Sequence, residues 1–206
     1  MLGKEGFDIW SEEYDKYIQK TSKGYPFEGY YDTLNYVYGL IKVKELTRIL
    51  DIRFGTGFLT DQLYKDGAKI YGIDFSQKMI EISQEKMPKA KLIQWDFNFG
   101  LPIEFEKEIF DYIISTYAIH HLNNDKKIEF IKKLKRVLNN NGKIIIADIA
   151  FNTKKEFLEC QRISIDRWDK DEIYIIADEF IGRLLEERIV ASYKQISSCA
   201  GVVVIS

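Results

Sequence analysis

The sequence predicts an α/β fold, a doubly wound and mostly parallel sheet with helices on both faces. Two observations carry that expectation. Arg48 to Thr60 reads R-I-L-D-I-R-F-G-T-G-F-L-T, a short apolar run, a glycine-bearing loop, then Leu59 and Leu63 at helical spacing. Strand, glycine loop and helix in that order make a nucleotide site, because glycine lets the backbone approach a ligand and the new helix points its N–H groups at it. Secondly, three successive apolar runs end on an acid, at Asp51, at Asp74 (A-K-I-Y-G-I-D) and at Asp96 (A-K-L-I-Q-W-D). The C-terminal strand ends of an open α/β sheet line its ligand crevice, so the three carboxylates are expected around one site.

Taken in order, residues 1–46 are rich in aromatic side chains: Trp10, Tyr14 and Tyr17 fall on one helical face, and Gly24-Tyr25-Pro26 breaks the pattern. Phe27 to Lys42 then reads as a second helix. These rings either cover a sheet edge or form a lid in which Tyr14, Tyr17, Tyr25 and Tyr30 touch ligand. The runs ending at Asp51, Asp74 and Asp96 are strands one to three. A helix capped by Ser76 lies between the second and third and stops at Met87-Pro88. Asp96 is also placed to be a turn acid, since Asn98, Gly100 and Pro102 follow it.

Ile109 to Thr116 is the fourth strand and Lys143 to Ile149 the fifth. The amphipathic helix between them, Asp125 to Leu138, turns Ile128, Ile131, Leu134 and Leu138 to the sheet and is expected to end in Asn139-Asn140-Asn141-Gly142. Its lysines form a solvated face rather than a polyanion site. Ala150 to Asp171 is expected to cross the substrate opening, with Glu172 to Glu187 a further helix. Arg188 to Ser197 and Ala200 to Ser206 form a closing hairpin. The expected organisation is one domain: a cap at 1–46, a cofactor-binding core at 47–149, substrate-side helices at 150–187 and a hairpin at 188–206.

At 206 residues, 46% hydrophobic and 30% charged, the chain has the balance of a globular protein. A net charge of −2 argues against a nucleic-acid partner. Cys160 and Cys199, the only cysteines, suggest neither a disulfide framework nor a metal motif. No secretory leader or membrane-crossing run is recognisable, and a cytoplasmic location is expected. His120 and His121 are the only histidines, and no further ligands are spaced to make a metal site with them.

Four motifs in order, I-L-D-I-R-F-G-T-G at 49–57, G-I-D-F-S at 72–76 followed by Met79, W-D-F at 95–97 and S-T-Y-A-I-H-H-L at 115–122, resemble the class I S-adenosylmethionine-dependent methyltransferases that act on small molecules. That resemblance implies a seven-stranded sheet whose last strand is antiparallel and lies between strands five and six. It implies S-adenosylmethionine as cofactor, held by Asp51, Arg53, Gly55, Thr56, Gly57, Asp74, Phe75, Met79, Asp96, Phe97 and Ser115. Asp74 would take the ribose hydroxyls, Phe75 and Met79 the adenine, and Asp96 and Phe97 the adenine amine and ring. Ser115 and Tyr117 would border the methionine end. His120 is the candidate general base, and Tyr14, Tyr17, Tyr25, Tyr30 and Tyr117 the candidate acceptor contacts. The partner implied is a small-molecule methyl acceptor.

The family usually carries glycine where this chain has Arg53, so Arg53 either pairs with the cofactor's carboxylate or obstructs its place. Three other functions compete. A nicotinamide dehydrogenase would want G-x-G-x-x-G, but the frame from Gly55 places Thr60 at the third glycine. A binding protein that has lost catalysis is favoured by Arg53 and disfavoured by Asp74 and Asp96. An RNA methyltransferase would need a basic surface.

Overall fold

The computed structural model describes residues 24–206; Trp10, Tyr14 and Tyr17 lie outside the described residues. Eight strands are found among those residues: β1 (Arg48–Ile52), β2 (Lys69–Asp74), β3 (Lys91–Gln94), β4 (Phe110–Thr116), β5 (Leu138–Phe151), β6 (Ile175–Ile176), β7 (Ala191–Gln195) and β8 (Ala200–Ile205). The helices are α1 (Tyr30–Leu40), α2 (Phe58–Lys65), α3 (Gln77–Lys86), α4 (Ile103–Glu106), α5 (Asn124–Arg136), α6 (Lys154–Ile163) and α7 (Ala177–Glu186).

The sheet runs β3-β2-β1-β4-β5-β8-β7, with the two-residue β6 paired to the end of β5. Strands β1 to β5 are parallel, and β8 is antiparallel to both of its neighbours. The final strand is thus inserted where the resemblance implied. The strand beyond the expected seven is β6. It forms because Ile175 and Ile176, read in the sequence as the start of a helix, extend along Ala150 and Phe151 before α7 begins.

Alternation along the buried strands divides the core, since successive side chains face opposite sides of a sheet. Leu50, Ile113, Ile144 and Ile146 pack under α5 and α7 against Ile128, Ile131, Leu134, Phe180 and Leu184. Ile49, Ile114, Ile145 and Ala147 face the other way, against Leu34 and Val37 of α1 and Leu59 and Leu63 of α2. A third cluster joins Tyr25, Ile149, Phe151, Trp168, Tyr174 and Cys199 beyond the tip of β5.

The asparagine run departs from expectation. Helix α5 stops at Arg136, and Leu138 pairs with Phe110 as the first residue of β5, so residues 139–142 lie inside a strand and do not cap a helix. The register shifts between Phe110 and Tyr112, and the Asn139 amide donates to Asp111 Oδ1 at 2.9 Å, giving the polar run a partner in the neighbouring strand. Ser76 caps α3 as expected, its hydroxyl accepting from Met79 N. Among the described residues no helix is long and apolar enough to cross a membrane.

Candidate active site

The loop after β1 is shaped by what lies beneath it. Arg53 and Gly55 both adopt positive φ, at 63° and 58°, and Gly57 does so at 71° as it opens α2. At Gly57 an added Cβ would lie 2.9 Å from Ser83 Oγ and 3.1 Å from Met87 Cε, so the loop can rest on α3 only with hydrogen in that position. At Gly55 the corresponding space is open, with nothing within 4 Å. Phe54 packs against Gly72 of β2, where a Cβ would meet its ring at 2.5 Å.

Asp74, at the tip of β2, ties two loops together. Its Oδ2 accepts from Gly55 N at 3.0 Å and its Oδ1 from Ser76 N at 2.9 Å. Burial raises its pKa, opposed by these backbone amides and by the Arg53 cation. Asp51, on the neighbouring strand, is equally buried; the Thr60 hydroxyl donates to its Oδ2 and its Oδ1 has no partner. Burial, with the nearby Asp74 charge adding to it, pushes Asp51 up to about 7. The Arg53 guanidinium covers the Phe75 ring at 4.8 Å.

These groups border one cavity of about 280 Å³. Asp51, Arg53, Gly55, Thr56, Asp74, Phe75 and Met79 line one end of it, and Tyr25, Tyr30, Tyr117, His120, His121, Asp169 and Glu172 line the other. The charge of Arg53 is felt at both ends, by Asp74 and by His121.

Four residues expected at the cofactor stand outside that lining. Gly57 is the first residue of the α2 cap, beneath the loop. Asp96 lies beyond the end of β3, where its carboxylate accepts from Asn98 N at 2.9 Å and caps the short turn Phe97–Phe99, the turn role its neighbours suggested. Phe97 turns inward against Phe130, with centroids 5.6 Å apart, because the turn directs it into the core under α5. Ser115 is buried within β4, one residue short of the cavity wall at Thr116 and Tyr117. Of the three strand-end acids expected around one site, Asp51 and Asp74 line the cavity.

The opposite end is made by parts of the chain that are far apart in sequence. His120 follows β4 in the short turn Ile119–His121, and its Nδ1 meets Asp148 Oδ1 of β5 at 2.6 Å while its backbone N–H donates to Oδ2 of the same carboxylate. The other ring nitrogen faces Glu172 Oε1 at 3.4 Å. Glu172 Oε2 accepts from the Tyr174 hydroxyl at 2.8 Å, and that hydroxyl also meets the Tyr25 hydroxyl. Tyr25 stacks on Trp168 at 4.8 Å, and Tyr174 stands perpendicular to the same indole at 5.0 Å.

The segment that carries Glu172 is pinned to the histidine turn from below. Ile173 N donates to His120 O at 2.9 Å. The ammonium of Lys127, a fully buried side chain, donates to Leu122 O and Ile173 O, each at 2.6 Å. Burial lowers Lys127 to about 8. His121 packs against His120 with ring centroids 4.3 Å apart; burial first, then the Arg53 charge, push it down to about 2, so the ring is neutral. Asp148, Glu172, Tyr174 and Lys127 were not read from the sequence. A signal existed for Asp148, an acid inside the apolar strand K-I-I-I-A-D-I, and a weaker one in the mixed acids and aromatics of 168–174.

Comparison with known proteins places this architecture. Residues 49–142 match the family model described as a methyltransferase domain. An uncharacterized methyltransferase of Alkaliphilus oremlandii is 33% identical over 175 residues, 84% of this chain and 77% of that protein. Another, from Bacillus mycoides, is 38% identical over 148 residues, 70% of this chain and 66% of that protein. Among solved structures, the DhpI-SAM-HEP complex superposes with a TM-score of 0.72 at 16% identity, covering 97% of this chain and 94% of that one. The chain belongs to the class I S-adenosylmethionine-dependent methyltransferases.

Proposed function

We propose that the protein is a cytoplasmic enzyme that transfers the methyl group of S-adenosylmethionine to a small-molecule acceptor. The observation that carries this is the single cavity joining the Asp51–Asp74 pair to an aromatic and acidic wall. The residues present fit the cofactor. Asp51 Oδ1, buried and without a partner, is an acceptor waiting for a cation such as the methionine ammonium. Open space above Gly55 admits the chain of the ligand. Asp74 is the acceptor for the ribose hydroxyls, Phe75 and Met79 border the adenine, and Thr56 and Arg53 flank the loop.

When bound, the cofactor supplies an electrophilic sulfonium methyl. The protein's contribution is then to hold the acceptor's nucleophile in line with it and to exclude water. Tyr25, Tyr30 and Tyr117 are the acceptor contacts within the described residues, and the buried rings around Trp168 close that side. A net charge of −2 supports a small acceptor over a nucleic acid.

Calorimetry with S-adenosylhomocysteine, followed by methyl-transfer assays with isotopically labelled donor on a panel of small amines, thiols, phenols and carboxylic acids, tests this. Binding and turnover of at least one class are expected. Absence of binding overturns the reading, and binding without turnover on any class favours the non-catalytic alternative.

A further inference from the structure

The group at the acceptor end has the composition of a metal site that the sequence spacing could not show. One donor atom each from His120, His121 and Glu172 can be chosen so that all three lie within 4.8 Å of one another, and all three residues line the cavity. Two imidazoles and a carboxylate on one side of an open space are the donor set taken by divalent transition ions, with the remaining coordination positions left for a ligand.

The surroundings match that use in three respects. His120 Nδ1 is held by the Asp148 carboxylate at 2.6 Å, which fixes the ring and directs Nε2 toward Glu172. Metal-bound histidines almost always have such a carboxylate or carbonyl on their other nitrogen. Glu172 is likewise fixed, one oxygen accepting from the Tyr174 hydroxyl while the other faces His120. His121, whose Nδ1 is buried with no hydrogen-bond partner, carries an unmet polar atom on the third ligand residue. The supports are rigid: Lys127 and the Ile173 N–H bond lock the Glu172 segment to the histidine turn.

We propose that His120, His121 and Glu172 bind one divalent transition-metal ion at the acceptor end of the cavity, whose open positions take an oxygen, nitrogen or sulfur donor of the methyl acceptor. His120 is then a ligand, and not a general base. The charges balance locally, since Glu172 coordinates the ion and Asp148 backs it. The acceptor class follows: small molecules with a coordinating heteroatom at or beside the position methylated. The placing of the acceptor rests on the methyl-transfer reading; the metal site itself does not.

The test uses the full chain, stripped with chelator and titrated with Co²⁺ under visible absorption and with Zn²⁺ in the calorimeter. One ion per chain is expected, with Co²⁺ bands that shift between wild type and Asp148→Asn. Glu172→Gln, which preserves shape, and His121→Ala should each weaken binding at least about tenfold, in keeping with losses seen when metal ligands or their supports are changed. Thermal unfolding of each variant without metal confirms folding. S-adenosylhomocysteine affinity, measured on the same samples, separates the two readings: metal binding without cofactor binding sinks methyl transfer and leaves the site standing. Absence of saturable metal binding, or binding that Glu172→Gln and His121→Ala leave unchanged, overturns the site.

Discussion

The two ends of the cavity are built on different principles. The end around Asp51 and Asp74 comes from consecutive segments, residues 51–79, and is held mainly by backbone groups: Gly55 N and Ser76 N on Asp74, and Arg53 N on Ile73 O at 2.7 Å. The end around His120 draws Tyr25, Asp148, Trp168, Glu172 and Tyr174 from across the chain and is held mainly through side chains. Local backbone geometry makes a site for a ligand that does not change within a family. An assembly of distant side chains can be altered one residue at a time without disturbing the first. Affinity for the cofactor should therefore respond sharply to changes at one end and barely at the other.

The largest effect should come from Asp74→Asn. It replaces one of the two carboxylate oxygens that organise the loops by an NH2 donor and strips the charge from the other. One charge-assisted hydrogen bond of about 1.5–3 kcal/mol is lost, the second becomes a neutral one, and the proposed ribose acceptor is weakened with them. S-adenosylhomocysteine affinity is expected to fall by about 100-fold or more, since about 1.4 kcal/mol is a factor of ten. Glu172→Gln should change it by less than about threefold, because no backbone of the glycine loop depends on it. Similar losses for both variants in calorimetry would break the division between the two ends.

A tenfold effect per pH unit is expected from Asp51. Burial raises its carboxyl from 3.8 to about 7, so in the ligand-free protein it carries a proton below that value and is ionised above it. A cationic group at Oδ1 needs the ionised form. Affinity for S-adenosylhomocysteine should therefore fall by about tenfold for each unit below about pH 7 and level off above it. Because the folded pKa is raised, this group's contribution to ligand-free stability is complete below the unfolded value and is lost as pH rises through 7. Added ligand should reverse that trend. Asp51→Asn should flatten the affinity profile, and a profile as steep in the variant as in the wild type would remove Asp51 from the site.

The same division explains what the sequence made legible. Strand ends, the glycine loop and Asp51 and Asp74 follow from periodicities within a few tens of residues, and the inserted last strand followed from family resemblance. Asp96 stands outside the cavity lining for a local reason: Trp95 N still bonds Asp74 O at 2.8 Å, but β3 has ended at Gln94 and the chain turns there, so its carboxylate caps the turn at Asn98. Residues 139–142 misled because a polar run after an amphipathic helix suggests a cap, while Leu138 and the Asn139–Asp111 bond draw it into the sheet. Glu172 was beyond reach. Its meeting with His120 depends on Lys127 and Ile173, a tertiary arrangement that no spacing encodes.

Arg53 stands where the two ends meet, and its removal should give the smallest and most informative change. Arg53→Gly relieves a non-glycine residue held at φ 63°, a gain on the order of 1 kcal/mol for the ligand-free protein. It also removes the guanidinium from the Phe75 ring, a contact of about 0.5–1 kcal/mol. Thermal stability should therefore change little. The charge that favours ionised Asp74 is lost as well, and if Arg53 takes the proposed pairing with the cofactor's carboxylate that partner goes with it, so S-adenosylhomocysteine should bind roughly three- to tenfold more weakly. Tighter binding by the glycine variant would mean that the side chain obstructs the loop, and the cavity would then be a donor site narrowed by one residue.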